Sequence, residues 1–375
     1  MNILIAPDSF KDALSSREVA NYLKAGMIKV IPDGLFDLVP LADGGEGTVE
    51  TILSSVKGET IRITVHDPLM RQISSFIGFI PGRTALIEMA AASGLMLVSE
   101  GERNPWVTTS FGTGELIKTA LDNDCKTIIL GIGGSATNDA GVGMAMALGV
   151  KFLDEKNNPV SVGGGEVGRI RKIDISGLDA RISDTEILVA CDVTNPLTGL
   201  DGASVVYSPQ KGADTGMVKE LDANLVSLAR VIKEQSGKDV ETLPGAGAAG
   251  GMGAGLVAFL DAKLVRGFDL VASVTRLEQK IENADIVITG EGKVDGQTPF
   301  GKTAFGVAQL AKNHKKPVIL VAGTIAEGAE VLYSMGVSAM MSVINKPMTL
   351  EEALKTTPHL LENTGESIAR MLTIR

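Results

Sequence analysis

Short, uninterrupted apolar runs followed by amphipathic helical stretches recur at both ends of this chain, and that alternation limits the fold more than any other feature. Ile3-Leu4-Ile5-Ala6 reads as a first strand, and Ser15 with Glu18 three residues later reads as a capping box opening a helix over residues 16–29. Residues 36–41 predict a second strand, 42–47 a loop and 48–53 a helix. The C-terminal part repeats the pattern, with strands expected at 285–289, 318–322 and 338–343. Helices fall near 303–312 and 327–335, and Leu350–Leu372 closes the chain. Continuous apolar strands between helices imply a parallel sheet covered on both faces. Two strands from the front and three from the back complete a five-stranded doubly wound sheet, which assigns 1–64 plus 278–375 to one α/β domain. Residues 65–277 form a large inserted α/β domain, with strands at 61–65, 73–79, Thr84–Glu88, 127–130 and 187–190, and hinge motion is expected near 65 and 277.

Composition narrows the function. Of 375 residues, 44 are glycine, about 12% against the usual ~7%, in a chain that is 44% apolar, so the glycines belong to loops of a folded protein. A net charge of −10 without basic clusters excludes the electrostatic footprint of a nucleic-acid binder and any polybasic membrane patch. Cys125 and Cys191 are the only cysteines and have no metal-type spacing, which fits a reducing cytoplasmic setting. The N-terminus lacks a basic region and a signal-peptide core, and the apolar stretch 244–260 is glycine-rich and shorter than the ~20 residues of a spanning helix. No membrane segment is expected.

In open α/β sheets ligands bind beyond the carboxyl ends of the strands. Here those ends carry polar, Gly-bearing loops: Pro7-Asp8-Ser9-Phe10-Lys11, Ala42-Asp43-Gly44-Gly45-Glu46-Gly47-Thr48 and Gly290-Glu291-Gly292-Lys293-Val294-Asp295-Gly296-Gln297-Thr298. The inserted domain adds GIGGSATND at 131–139 and Cys191-Asp192-Val193-Thr194-Asn195-Pro196. Consecutive backbone N–H groups at a Gly turn entering a helix cradle phosphate. Residues 131–138, leading into a helix expected at 140–148, have that form; the other reading is a tight strand-to-helix turn capped by Asn138 or Asp139. The stretch PGAGAAGGMGAG at 244–255 either closes over a nucleotide or lets helices pack closely.

Phosphoryl transfer needs cations on the phosphates, carboxylates for Mg²⁺ and a base or orienting group for the attacking hydroxyl. Lys11, Lys211 and Lys302 supply the first; Asp8, Asp43, Glu46, Asp192, Glu291 and Asp295 supply the others. Residues 296–303 (GQTPFGKT) match the P-loop pattern by letter. With the preceding strand expected to end at Thr289 and Pro299 inside the loop, the match lacks the P-loop context, although Lys302 at a helix start remains a good anion ligand. No GxGxxG follows the first strand, against a dinucleotide site. His66, His314 and His359 lie outside the Gly loops, so neither a catalytic triad nor a transition-metal site is supported.

Taken together, APDSFK at 6–11, ADGGEGT at 42–48, GIGGSATND at 131–139, CDVTNPL at 191–197, PQKGA at 209–213, PGAGAAGG at 244–251 and GEG at 290–292 with Asp295, Gln297, Thr298, Gly301 and Lys302 resemble the class I glycerate kinases, in order along the whole chain. Ala140, where Gly is expected, and Ala304, where Pro is usual, depart from the pattern. The resemblance implies transfer of the γ-phosphoryl of ATP to D-glycerate with Mg²⁺, usually to give 2-phosphoglycerate, in a cleft between a flavodoxin-like domain and an inserted one. By chemistry and loop position, Lys11 and Lys302 are assigned to the substrate carboxylate or the moving phosphate, with Asp8, Ser9, Gln297 and Thr298 as further substrate contacts. Asp192 is the expected base with Asn195 beside it, and Asp43 is the second choice. Glu291 and Asp295 are the Mg²⁺ candidates. Gly133, Gly134, Ser135 and Asn138, with Lys211, are the expected ATP cradle. The alternatives are a kinase acting on a related hydroxy acid or on the 3-hydroxyl, a non-catalytic small-anion binder, and a hydroxyacid dehydrogenase, which would be expected to carry a Gly fingerprint and a His acid.

Overall fold

A computed structural model of the chain describes residues 1–42, 47–296 and 303–374. Asp43, Glu46, Gln297, Thr298 and Lys302, all singled out by sequence, lie outside the described residues. The strands in chain order are β1 (Asn2–Ile5), β2 (Leu35–Leu38), β3 (Glu59–His66), β4 (Gln72–Ile80), β5 (Thr84–Glu88), β6 (Thr127–Gly131), β7 (Lys151–Leu153), β8 (Lys172–Asp174), β9 (Glu186–Ala190), β10 (Lys263–Val265), β11 (Ile286–Val294), β12 (Val318–Ile325) and β13 (Ala339–Ser342). The chain divides into two compact units, Met1–Asp43 with Glu50–Val56 and Phe268–Arg375, and Gly44–Val49 with Lys57–Gly267.

In the first unit a five-stranded sheet runs in the order β13-β12-β11-β1-β2, with every neighbouring pair parallel. Read from β2, this is the flavodoxin order, whose switch point lies between β1 and the strand that follows the insertion, β11. Ile3 and Ile5, Ile286 and Ile288, and Ile319 and Val321 point to one face, where they pack with Val19 and Leu23 of the helix Ser16–Ile28 and Leu361 and Ile368 of the helix Leu350–Leu372. The alternate residues Leu4, Val287 and Leu320 are buried as well, so both faces are covered, as a continuously apolar strand requires. The capping boxes expected from Ser15–Glu18 and present also at Thr349–Glu352 start these two helices. Their backbones approach so closely that a Cβ on Gly26 would lie 1.9 Å from the Glu362 carbonyl oxygen.

The second unit holds a six-stranded sheet, order β10-β9-β6-β5-β4-β3, parallel from β10 to β5 and antiparallel from β5 to β3. Its edge sets the division of the chain. β3 pairs with β4 along its whole length, Glu59 with Phe79 through His66 with Gln72, so residues 57–64 fall in the second unit instead of the first. At the other junction the Phe268 ring comes within 2.5 Å of where a Gly306 Cβ would sit, which ties 268–277 to the first unit.

Two further expectations change. The helix expected over 140–148 is reduced to Val142–Ala147, because Ala140 and Gly141 take left-handed φ of 50° and 70°. β11 runs to Val294, five residues past the expected end, pairing with β12 as far as Ile325. Gly296 therefore follows the strand end by two residues, and the lack of strand context used above against a P-loop does not hold. Residues 297–302 of that match are outside the described residues.

Candidate active site

In the first unit, hydrogen bonds carry the strand alignment past the strand ends. Asp8 N donates to Gly290 O at 2.8 Å and Leu41 N to Pro7 O at 2.9 Å. These contacts place Asp8 alongside β11 and Leu41 alongside Pro7, beyond the carboxyl ends of β1 and β2 and next to the switch point. Phe10 is buried in the core and anchors a tight turn in which Phe10 N donates to Leu14 O and Leu14 N returns to Phe10 O, both at 2.9 Å. The anchor leaves Ser9 and Lys11 exposed on either side. A Cβ on Gly292 would lie 3.5 Å from Lys11 N, so Lys11 and β11 share a corner. Asp8 N also sits beside the strand that carries Glu291, buried at 9% exposure. Asp295, just beyond the end of β11, forms an ion pair with Lys293 at 3.1 Å.

In the second unit one rung crosses four parallel strands: Glu88, Gly131, Ala190 and Val265. Two residues beyond that rung come Gly133, after β6, and Asp192, after β9. Asp192 Oδ1 accepts from Gly267 N at 3.0 Å, which fixes that carboxylate oxygen. Glu88, which sequence reasoning passed over, is buried, and its Oε1 accepts from Val49 N at 2.7 Å. Its signal was a charged residue in the last position of an otherwise uncharged strand.

The Gly loop is held from behind. Gly134, with φ of 71°, is exposed and Gly133 half-buried, whereas Ser135 and Asn138 are buried. Asn138 Nδ2 donates to Ser204 Oγ at 2.9 Å. Asp139 is 1% exposed and accepts from Ser110 N, Ser110 Oγ, Thr109 Oγ1 and Gly143 N on Oδ2, and from Gly141 N on Oδ1. The Thr108-Thr109-Ser110 run, a second group missed from sequence, thus supports the loop: Thr108 Oγ1 also donates to Ala136 O at 2.8 Å. The 244–255 stretch packs closely against the Gly loop. Ala249, Gly250 and Gly251 are all left-handed, and a Cβ on Gly250 would lie 1.9 Å from Thr137 O.

Lys211 and Asn195 have internal partners. Lys211 is 1% exposed, and its Nζ donates to Ser135 Oγ and Thr137 O, both at 2.7 Å. Asn195 Nδ2 donates to Asp201 O and its Oδ1 accepts from Tyr207 Oη, so its amide braces the turn after Asp192. Burial pushes the Lys211 ammonium down to about 7, with Asp139 opposing the shift. Between about pH 7 and the ordinary lysine value near 10.5 the unfolded chain then binds a proton at this position that the folded protein does not, so folding stability rises with pH across that window. We expect urea unfolding of Lys211→Met to lose this rise, by a few kcal/mol between about pH 7 and 10. Parallel stability curves for the two proteins would contradict it.

Among the described residues, no three His, Cys, Asp or Glu side chains form a metal-binding group. Mg²⁺ does not require one, since it takes one or two carboxylates, substrate phosphates and several waters. Glu291 and Asp295 are oxygen donors of the right kind for it.

The sequence profile of the glycerate kinase family matches residues 3–373. A glycerate 2-kinase from Escherichia coli (strain K12) is 48% identical over 375 residues, covering 100% of this chain and 98% of its own. A glycerate kinase from Halalkalibacterium halodurans is 47% identical, over 98% of this chain and 97% of its own. A crystal structure assigned as a glycerate kinase 2 from Salmonella typhimurium LT2 superposes with a TM-score of 0.90 at 47% identity, covering 99% of this chain and 98% of that one. With a profile match from the first strand to the last helix and relatives aligned end to end, this chain belongs to the glycerate kinase family.

Proposed function

We propose that this protein transfers the γ-phosphoryl group of ATP to the 2-hydroxyl of D-glycerate, giving 2-phosphoglycerate and ADP. The observation that carries the reading is the end-to-end match, at 48% identity, to a glycerate 2-kinase. The polar loops at the switch point of the first unit and beyond the Glu88–Gly131–Ala190 rung of the second supply the groups such a reaction needs.

Asp192 takes the proton of the attacking hydroxyl, its carboxylate aimed by the Gly267 amide. The hydroxyl oxygen bonds to the γ-phosphorus as the bond to the β,γ-bridging oxygen breaks, and ADP leaves with that electron pair. Backbone N–H groups at Gly133 and Gly134 receive phosphate oxygens, while Ser135, Asn138 and Lys211 hold that turn in shape from behind. Lys11, with Lys302, takes the glycerate carboxylate or the moving phosphoryl group, and Asp8, Ser9, Gln297 and Thr298 add polar contacts to the hydroxy acid. Asp43 is the second candidate for the base. Glu291 and Asp295 would hold Mg²⁺, which when bound neutralises charge on the β- and γ-phosphates. Two free cysteines support a reducing, cytoplasmic setting.

ADP release from ATP should depend on both D-glycerate and Mg²⁺ and stop with EDTA. Equal ATP turnover with and without D-glycerate would refute the assignment.

A further inference from the structure

The segment from Arg103 to Ser110 runs beside the Gly loop. Thr108 and Ser110 hydrogen-bond to Ala136 and Asp139. Gly164 lies between the two stretches, where a Cβ would come within 2.4 Å of Pro105 O and 2.8 Å of Asn138 O. The start of the segment is clamped just as tightly. Gly212, left-handed at φ 99°, directly follows Lys211, and a Cβ on it would lie 2.2 Å from Arg103 O. The turn whose lysine holds Ser135 and Thr137 therefore also fixes the backbone of Arg103.

The Arg103 side chain is left without a partner among the described residues, and its Nε is buried with no acceptor. The adjacent acid does not serve it, because Glu102 Oε1 accepts from Arg71 at 3.1 Å and Oε2 from Ser99 Oγ at 2.6 Å. A buried guanidinium N–H without an acceptor is costly, and the fork of donors on arginine matches the oxygens of a carboxylate or phosphate better than any other side chain. The cost is removed if an incoming ligand supplies the acceptor. Sequence gave no reason to single out Arg103, which precedes Asn-Pro far from any Gly-rich strand end.

We infer that Arg103 is a ligand-binding residue whose guanidinium receives a substrate oxyanion, either the carboxylate of the hydroxy acid or a phosphoryl oxygen of the nucleotide. The inference rests on the kinase reading for the identity of these ligands.

Calorimetric titration of the full-length wild type, Arg103→Met and Arg103→Lys separates the possibilities, with MgATP alone, D-glycerate alone and inorganic phosphate alone as probes. Arg103→Met should weaken one of the two substrates by about tenfold or more while the other stays within about threefold, and the affected substrate identifies the oxyanion. Arg103→Lys, which keeps the charge but loses the fork, should recover part of that affinity. Both substrates binding Arg103→Met within threefold of wild type would overturn the inference while leaving the kinase reading intact. If Arg103→Met fails to fold, Arg103→Lys decides: a loss above about threefold for one substrate supports the inference, and unchanged affinity for both overturns it. If the wild type binds neither MgATP nor D-glycerate, it is the kinase reading that fails. Inorganic phosphate then tests Arg103, with weaker binding by the variant in its favour and equal or absent binding against it.

Discussion

Asp192→Asn should lower kcat by about 10²- to 10⁴-fold while D-glycerate and MgATP bind as they do to the wild type. The amide oxygen of Asn can still accept from Gly267 N, which donates to Asp192 Oδ1 at 3.0 Å, so that contact is retained while the proton acceptor is lost. Because Asp192 is exposed, the exchange should leave stability within about 0.5 kcal/mol. The acidic limb of the kcat/KM profile, where the base becomes protonated, should disappear in the variant. Full turnover by Asp192→Asn would remove the residue from the mechanism and pass the role to Asp43.

Asp139→Ala should act in the opposite way, on folding first and on catalysis through it. The carboxylate is 1% exposed and receives five hydrogen bonds, from Ser110 N and Oγ, Thr109 Oγ1, Gly141 N and Gly143 N. Removing it leaves buried donors unpaired on two segments, at a cost of about 3–5 kcal/mol. It also removes the charge that favours the Lys211 ammonium, so the lysine that holds Ser135 and Thr137 is weakened too. Urea unfolding should register the loss at neutral pH, and a variant as stable as the wild type would show that these contacts contribute little.

The framework of both units was legible because a parallel strand buried on both faces is written as a continuous apolar run. β1, β5 and β6 and the capped helix Ser16–Ile28 fall within a residue or so of the ranges the pattern predicts. Prediction failed where backbone pairing overrides composition. Gly290-Glu291-Gly292-Lys293 has the composition of a loop, yet β11 continues through it because β12 pairs alongside. The close approach there, with a Gly323 Cβ position 2.5 Å from Gly292 O, needs glycine on a strand. Ala140 is the converse case: the sequence departs from the family pattern at a position whose φ of 50° favours glycine, and the helix begins only after it.

Site residues divide along similar lines. Loop positions at strand ends can be found in a sequence, since the βα alternation fixes which loops share an end of the sheet. What each side chain then does depends on burial that only long-range packing creates. Lys211 looks in the sequence like any loop lysine available to a phosphate, and it becomes a buried brace only when the Gly loop, 74 to 76 residues earlier, folds over it. Asn195 is similar, its amide engaged by Asp201 and Tyr207. Arg103, Glu88 and Thr108 to Ser110 carry no motif, and their relation to the loop lies in contacts across the fold.

Phosphorylation of D-glycerate at the 2-position is tested most directly by ³¹P NMR of the protein with MgATP and D-glycerate, alongside EDTA and ATP-only controls. A new phosphomonoester resonance is expected, present only with both glycerate and Mg²⁺, and split by a single proton because the phosphate sits on the CH carbon of the 2-position. Splitting by two protons would place the phosphate on the 3-hydroxyl and contradict the regiochemistry, and no new resonance with ATP left intact would contradict the kinase assignment itself.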